Sequence, residues 1–587
     1  MQVPDCGRQQ DDLAGGTFVL RSRSHRPRSA NPARRGPLLS VAVLLLFAVA
    51  FGGGVVPGYG AVAKGARLAA TPPMGWSAWA HYQCGYTAQT VLSNAMALVR
   101  TGLASRGYTM VMTTECWMQK TRDNNGNLQA DPKRFPRGIR PVAQAIHALG
   151  LKVGIYGDAG YATCAGYAGS GQPKGGGKDY FRQDARLFAS WGVDYLKLDG
   201  CNMHVPQGSS KEAAFHKAYA AEAAALKAAG RPVVFSESAP AYLQGTPEWY
   251  DVLTWCRRYG QLWREGSDIA NFHTKNPDHP RFDSVLWNYA YNLPLGRFQK
   301  PGNWNDPDFV IAGDKGLTLA ESRSQMALWS MMSAPLILSS DVGRLSPEAL
   351  AIVGNKKIIA IDQDPLGQMA TLVRRTPEMD VLFKKLSGGD GAVAVLNRSE
   401  TPVKADLHPA DFGLAADSTC RLDAQNLWNG KEQSSTSVLV ADVAPHDTVI
   451  WRIHPSTECG KPARTGTITM ITANEHHRGF EGYTRCLAAP GSVGACAGTA
   501  NESWAVRADG SLCSSGGECL ALANGKPVLE ACRPAKSQKW RYTLNGNLIN
   551  DASHKCLSAA GPEATPQTLK MQPCGHNLPN QIWSLPN

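Results

Sequence analysis

The sequence predicts an α/β protein: a closed (β/α)8 barrel, followed by an antiparallel β-sandwich and a second all-β region. Three observations carry this. From Thr71 to about Leu366 short apolar segments alternate with longer segments of helical periodicity, and eight such strands over roughly 300 residues is the count for a (β/α)8 barrel. After Asp364-Pro365 the helical spacing gives way to strands separated by turns. From about Ala463 the chain repeats itself three times, each copy about 40 residues long. A doubly wound open sheet is the alternative for the first region, but no Gly-x-Gly-x-x-Gly follows its first strand.

At 587 residues the chain is too long for one domain, and 43% hydrophobic with 18% charged residues describes an ordinary globular protein. Residues 1–36 are rich in Arg, Ser and Pro and read as disordered. The apolar run at 38–51 is shorter than the about 20 residues a membrane span needs, and Ala61-Val62-Ala63 has the small-x-small form of a signal-peptidase site. Residues 1–63 therefore read as a basic N-terminal extension and secretory signal on a chain that leaves the cell, with an uncleaved signal anchor as the alternative. Fifteen Cys fit an exported chain, and Cys6 lies in the part removed. No Cys-x-x-Cys pair or cluster of His points to zinc. The formal net charge is +12, but residues 1–63 hold seven Arg against three Asp, so the remainder carries +8, and no basic helix or stripe gathers it. A nucleic-acid partner is not predicted, nor a membrane once the signal is cleaved.

The first unit spans 64–370. Its candidate strands are 74–79, 108–116, 152–160, 195–201, 233–238, a weak one at 252–256, 304–311 and 334–340. Helical patterns lie between them at 90–103, 139–149, 179–191, 211–229 and 320–332. The second unit, 371–457, has strand patterns at 380–386, 392–396, 438–443 and 448–453, with a Gly-Gly-Asp-Gly turn at 388–391, and no titratable cluster. In the third, 463–587, Cys486-Leu487, Cys519-Leu520 and Cys556-Leu557 each lead to a later Cys (Cys496, Cys532, Cys574). Each copy then reaches Glu502-Ser503-Trp504, Gln538-Lys539-Trp540 or Gln581-Ile582-Trp583. Three such units share one core.

The chemistry gathers on Tyr195-Leu196-Lys197-Leu198-Asp199-Gly200-Cys201, a buried-strand run that ends in charge. In a parallel barrel catalytic groups sit at the C-terminal mouth, so Asp199 is placed to reach a substrate and Lys197 points into the same interior. Glycoside hydrolysis needs two carboxyl groups about one anomeric carbon, because the leaving oxygen must be protonated as an oxocarbenium-like centre develops. Asp268, in a loop after the sixth strand, is the second candidate; in isolation Arg264 and Asp268, four apart, would read as a surface ion pair.

The third unit resembles the ricin-type β-trefoil, the family 13 carbohydrate-binding module. That resemblance implies the disulfides Cys486–Cys496, Cys519–Cys532 and Cys556–Cys574, a core role for each repeat's Trp, and one shallow sugar pocket per repeat. Glu502 replaces Gln in the first repeat, which puts that pocket in question. Further motifs in the first unit are Thr71-Pro72-Pro73-Met74-Gly75-Trp76, Glu115-Cys116-Trp117, Gly154-Ile155-Tyr156-Gly157-Asp158-Ala159-Gly160, Trp304-Asn305-Asp306-Pro307-Asp308 and Asp362-Gln363-Asp364-Pro365-Leu366-Gly367. Together they resemble glycoside hydrolase family 27, the α-galactosidases, in register from Thr71 to about Ile453. The resemblance implies a retaining double displacement with Asp199 as nucleophile and Asp268 as acid/base. It also implies a sugar pocket lined by Trp79, Tyr156, Lys197, Glu237, Arg264 and Asp308, disulfides Cys84–Cys116 and Cys164–Cys201, and no metal or organic cofactor.

The departure from the family pattern bears on substrate. Where the family has Asp-Asp-Cys-Trp, this chain has Thr114-Glu115-Cys116-Trp117. By resemblance those two positions hold the hydroxyls at C4 and C6 of galactose, and Glu115 reaches one methylene further into the space of the C6 hydroxymethyl. β-L-Arabinopyranose lacks that group. The expectation is a glycosidase releasing terminal α-D-galactopyranosyl or β-L-arabinopyranosyl groups from plant-type saccharides. A lectin-like protein without turnover, and a family 27 enzyme on α-glucosyl linkages, are the alternatives.

Overall fold

A computed structural model describes residues 67–173, 176–269, 281–415, 419–470, 484–560 and 567–587. The expected leader and Cys6 lie outside these residues. No helix among the described residues is long and apolar enough to cross a membrane.

Eight parallel strands form the barrel: β1 (Met74–Ser77), β2 (Met110–Met112), β3 (Lys152–Asp158), β4 (Tyr195–Asp199), β5 (Val234–Glu237), β6 (Leu262–Arg264), β7 (Trp304–Asp306) and β8 (Leu336–Leu338). Each pairs with its neighbour in sequence from β1 to β7, and β1 also pairs with β8. The ring closes where Val310, just past β7, bridges to Leu338. The helices Ala88–Arg100, Ile139–Ala148, Phe181–Trp191, Lys211–Ala228, Trp249–Tyr259, Arg281–Asn292 and Leu319–Met332 follow the first seven strands. Thr318 and Glu321 cap the start of the last of these reciprocally, satisfying N–H groups that a helix end leaves open.

Most of the barrel strands are shorter than the sequence pattern suggests, and one lies elsewhere. Residues 252–256 belong to the helix Trp249–Tyr259, and the sixth strand is Leu262–Arg264. The buried Trp249, Val252, Leu253 and Cys256 recur at three- and four-residue spacing, the face of a helix and not of a strand.

Behind the barrel, a six-stranded antiparallel sheet runs in the order Glu432–Thr436, Leu422–Asn426, Thr448–Pro455, Gly391–Asn397, Met379–Lys385, Thr371–Arg375. Strand alternation divides its side chains between two cores. Val381, Phe383, Val393 and Val395 pack with Leu439 and Ala441 of a two-stranded sheet, while Leu382, Ala392, Ala394 and Leu396 join the barrel's core. Cys420 and Cys459 are disulfide-bonded here, a pair the sequence motifs did not assign.

In the three-repeat region each repeat Trp is buried and donates its indole N–H to a carbonyl of its own repeat: Trp504 to Leu487, Trp540 to Leu520, Trp583 to Leu557, at 2.8–2.9 Å. The Gln of each Gln-x-Trp is a loop brace. Gln538 accepts from Arg533 N–H and Gln581 from Gly575 N–H. Glu502 does the same work with two acceptor oxygens: Oε1 accepts from Ala497 N–H, and Oε2 from Ala497 and Gly498 N–H. The Gln-to-Glu exchange in the first repeat is therefore a change inside the fold. Cys486–Cys496 and Cys556–Cys574 are bonded, and Cys519 lies in bonding reach of both Cys532 and Cys513. Arg297 donates to Leu544 O at 2.8 Å and His576 meets Asp251 at 2.8 Å, fastening this region to the barrel's flank.

Candidate active site

The mouth of the barrel is set by register. Tyr156 stands opposite Lys197, and Asp158 opposite Asp199, across β3 and β4; Lys197 stands opposite Ser236 on β5. Residues in register in a parallel pair share a face, so Tyr156, Lys197 and Ser236 point to one side.

Asp199 ends β4, and both its oxygens are held. Oδ1 accepts from the Tyr242 hydroxyl at 2.6 Å and from Gly200 N–H at 2.9 Å, and Oδ2 accepts from the Tyr156 hydroxyl at 2.9 Å. Burial and the charge of Asp199 push both phenols well up, so each stays a donor. Beside Asp199 the Cys164–Cys201 disulfide sets a sulfur 3.0 Å from the Tyr242 hydroxyl. Asp158 is fully buried behind them; burial and the Asp199 charge push it well above the usual carboxylate range.

Across the mouth, Arg264 at the end of β6 divides one guanidinium between two acids. It lies 2.9 Å from Asp268, in the loop after β6, and 2.9 Å from Asp308, after β7. Asp268 is 59% exposed and Asp308 is buried, so one faces solvent while the other anchors the arginine. Asp308 also accepts from Ile269 N–H at 2.7 Å, which ties the Asp268 loop to the Asp308 loop. Its backbone sits at φ 78°, a conformation that costs a non-glycine residue ~1–2 kcal/mol, and this points to a functional position. Beneath it, Asp306 is raised to about 6 by burial.

Glu115 follows β2 and is buried. Its Oε1 accepts from Ala165 N–H at 2.7 Å, and burial raises it, with Asp199 and Lys197 as charged neighbours. Tyr86 fixes the turn by donating to Thr114 O and accepting from Thr114 N–H, and the Cys84–Cys116 disulfide closes it. The Lys197 ammonium lies 4.8 Å from the Phe309 ring centroid.

Residues 71–364 match the family described as alpha galactosidase A, 376–453 its C-terminal β-sandwich domain, and 483–583 the ricin-type β-trefoil lectin domain. Alpha-galactosidase A of Aspergillus niger is 35% identical over 540 residues, 90% of this chain and 94% of that one. The chain belongs to the α-galactosidase family. Among solved structures of this glycoside hydrolase family, α-galactosidase I of Mortierella vinacea superposes with a TM-score of 0.58 at 29% identity, covering 66% of this chain and 97% of that one. A β-L-arabinopyranosidase of Geobacillus stearothermophilus shares the fold with a TM-score of 0.57 at 22% identity, covering 67% and 98%.

The α-galactosidase-type mouth brings together Asp199, Tyr156, Lys197, Glu115, Arg264, Asp268 and Asp308, while Thr114 is buried beside Glu115, its hydroxyl 3.4 Å from Glu115 O. Trp79 opens the short helix Trp79–Tyr82 that leaves β1 and is partly buried against the barrel core. Glu237 is not in the group. It stands in register with Leu198, on the helix-facing side of β5, against the Cys256 thiol and the backbone of Gly260. Burial pushes Glu237 well up. One residue on, alternation returns Ser238 to the mouth side; its buried hydroxyl has no hydrogen-bond partner among the described residues.

Tyr242 was missed by the sequence reading, although it makes the shortest contact to Asp199. It lies on a single 3-10 turn, Ala239–Tyr242, where no periodicity tells which way a side chain points. Asp158, Asp199, Cys164 and Cys201 place four ligand-type groups together, but the two sulfurs are bonded to each other and present no thiolate to a metal.

Proposed function

We propose that the protein is a secreted, retaining exo-glycosidase that removes terminal α-D-galactopyranosyl or the isosteric β-L-arabinopyranosyl groups from plant-type glycans. Asp199 is the nucleophile and Asp268 the acid/base. The observation that carries the reading is the contrast between the two acids. Asp199 is set in place by two phenols and a backbone N–H, as an attacking group needs to be, while Asp268 is exposed on a loop where leaving group and water come and go. Arg264 and Lys197 place positive charge at the mouth.

In the first step Asp199 attacks the anomeric carbon as Asp268 protonates the leaving oxygen. In the second, water attacks the anomeric carbon as Asp268 takes its proton, and the bond to Asp199 breaks with its electron pair on the carboxylate, releasing the sugar with its configuration retained. Trp79, Thr114, Glu115, Tyr156, Lys197, Arg264 and Asp308 form the sugar pocket, and the trefoil holds the enzyme on its polymer.

Glu115 sets the choice between the two sugars. Pinned by Ala165 N–H, it cannot swing aside for a hydroxymethyl group. The test is kcat/KM on p-nitrophenyl α-D-galactopyranoside and β-L-arabinopyranoside, for the wild type and Glu115→Asp. Removing one methylene should move the galactoside-to-arabinoside ratio toward galactoside by about 1–3 kcal/mol. An unchanged ratio eliminates Glu115 as the gate, and no turnover of either sugar eliminates the assignment.

A further inference from the structure

Asp158 has no part in the reaction as described, yet it is built into the centre of the site. It is fully buried, and both its oxygens accept backbone N–H groups: Oδ1 from Gly160 at 2.7 Å and Oδ2 from Cys201 at 3.2 Å. Gly160 packs so closely on the Cys201 carbonyl that no side chain fits there, so the acid is clamped between the loops that follow β3 and β4. Asp158 Oδ2 also lies 3.5 Å from the Tyr156 hydroxyl, which donates to Asp199 Oδ2 at 2.9 Å. One hydroxyl proton thus stands between two acids. The oxygens of Asp199 are unequal: among the described residues Oδ1 takes Tyr242 and Gly200, and Oδ2 takes Tyr156 alone.

We propose that Asp158 is a positioning residue for the nucleophile, taking over the Tyr156 hydrogen bond while Asp199 Oδ2 is bonded to the sugar. This rests on the glycosidase reading above. In the first step the bond from Asp199 Oδ2 to the anomeric carbon forms. The bond from that carbon to the leaving oxygen breaks, its electron pair stays with the oxygen, and the Asp268 proton neutralises it. Asp199 Oδ2 is then the bridging oxygen of an ester, a weaker acceptor than a carboxylate oxygen. Tyr156 is left facing it in a buried site, where an unmet donor is costly. The nearest alternative is Asp158 Oδ2, already fixed by the backbone whatever the substrate does. Hydrolysis restores the Asp199 carboxylate, and the hydroxyl returns to it.

The test is a double-mutant cycle on p-nitrophenyl α-D-galactopyranoside and β-L-arabinopyranoside with wild type, Asp158→Asn, Tyr156→Phe and the double variant. Asp158→Asn should lower kcat about tenfold with KM little changed, and should have almost no further effect once Tyr156 is Phe. A role in folding alone would not depend on the Tyr156 hydroxyl, so equal losses in both backgrounds overturn the proposal. Should the Asn variant fail to fold, a crystal structure of the wild type trapped with 5-fluoro-α-D-galactopyranosyl fluoride decides. Tyr156 within hydrogen-bond distance of Asp158 supports the role, and Tyr156 still on Asp199 overturns it. A wild type that turns over neither glycoside would sink the function and this role together, whereas additive losses in an active enzyme sink only the role of Asp158.

Discussion

The barrel's mouth and its interface with the sandwich both bury charge, and they balance it in opposite ways. At the interface Asp380 is fully buried but surrounded by donors: Arg375 at 2.6 and 2.7 Å, the Tyr289 hydroxyl at 2.9 Å, and Arg398 at 3.5 Å. Burial works to raise its pKa, and the Arg375 and Arg398 charges outweigh it, so the acid is held below the usual range. At the mouth Glu115, Asp158, Asp199, Asp268, Asp306 and Asp308 share the charges of Lys197 and Arg264, and Glu115, Asp158, Asp306 and Asp308 are raised. A cluster in which the cations outnumber the acid secures two domains to each other. A cluster with too many acids for its cations keeps acids near neutrality, where protons can be moved.

Substitutions can break that contrast from either side. The largest effect is expected for Asp199→Asn: kcat should fall by about four orders of magnitude or more, while Tm does not fall, since one negative charge leaves a crowded mouth. Paired kinetics and thermal melts check this, and a matching drop in stability would make the two regions alike. Asp380→Asn should do the reverse. Stranding buried Arg375 should cost about 3–5 kcal/mol by denaturant unfolding and leave kcat per folded molecule unchanged. The Glu115→Asp ratio change comes next in size.

The pH response should separate the regions by sign. Asp306 is raised from its ordinary 3.8 to about 6, so between those values the folded chain holds a proton that the unfolded chain has lost. Its contribution to stability is complete below about pH 4 and fades as pH rises to about 6. Asp380 is depressed, so its contribution is complete above its ordinary value of 3.8 and fades as pH falls through its lower folded value. Tm followed across pH should flatten between 4 and 6 in Asp306→Asn and below 4 in Asp380→Asn. If both variants flatten over the same range, the distinction fails.

The fold and the place of Asp199 were legible because strand ends and repeats leave local marks: an apolar run closing in Lys197 and Asp199, and three copies of Cys-Leu and Trp; Asp268, on a loop, carries no such mark and was pointed to by the family resemblance. What failed was direction. Glu237 sits at a strand end, as Asp199 does, but one residue out of step with it. Counting alternation from Lys197 across to Ser236 places Glu237 on the outside. The sixth strand is only three residues long, and the preceding helix offered a longer apolar run at 252–256. Tyr242 and the Cys420–Cys459 bond depend on how distant turns come together, which no local pattern encodes.

The sulfur of Cys201 resting on the Tyr242 hydroxyl has a practical consequence for making the enzyme. A host cytoplasm kept rich in glutathione would leave Cys164 and Cys201 as separate thiols, free to drift from the phenol they support. Material harvested there should be soluble but slow, and passage through a periplasm or air oxidation after purification should restore its rate.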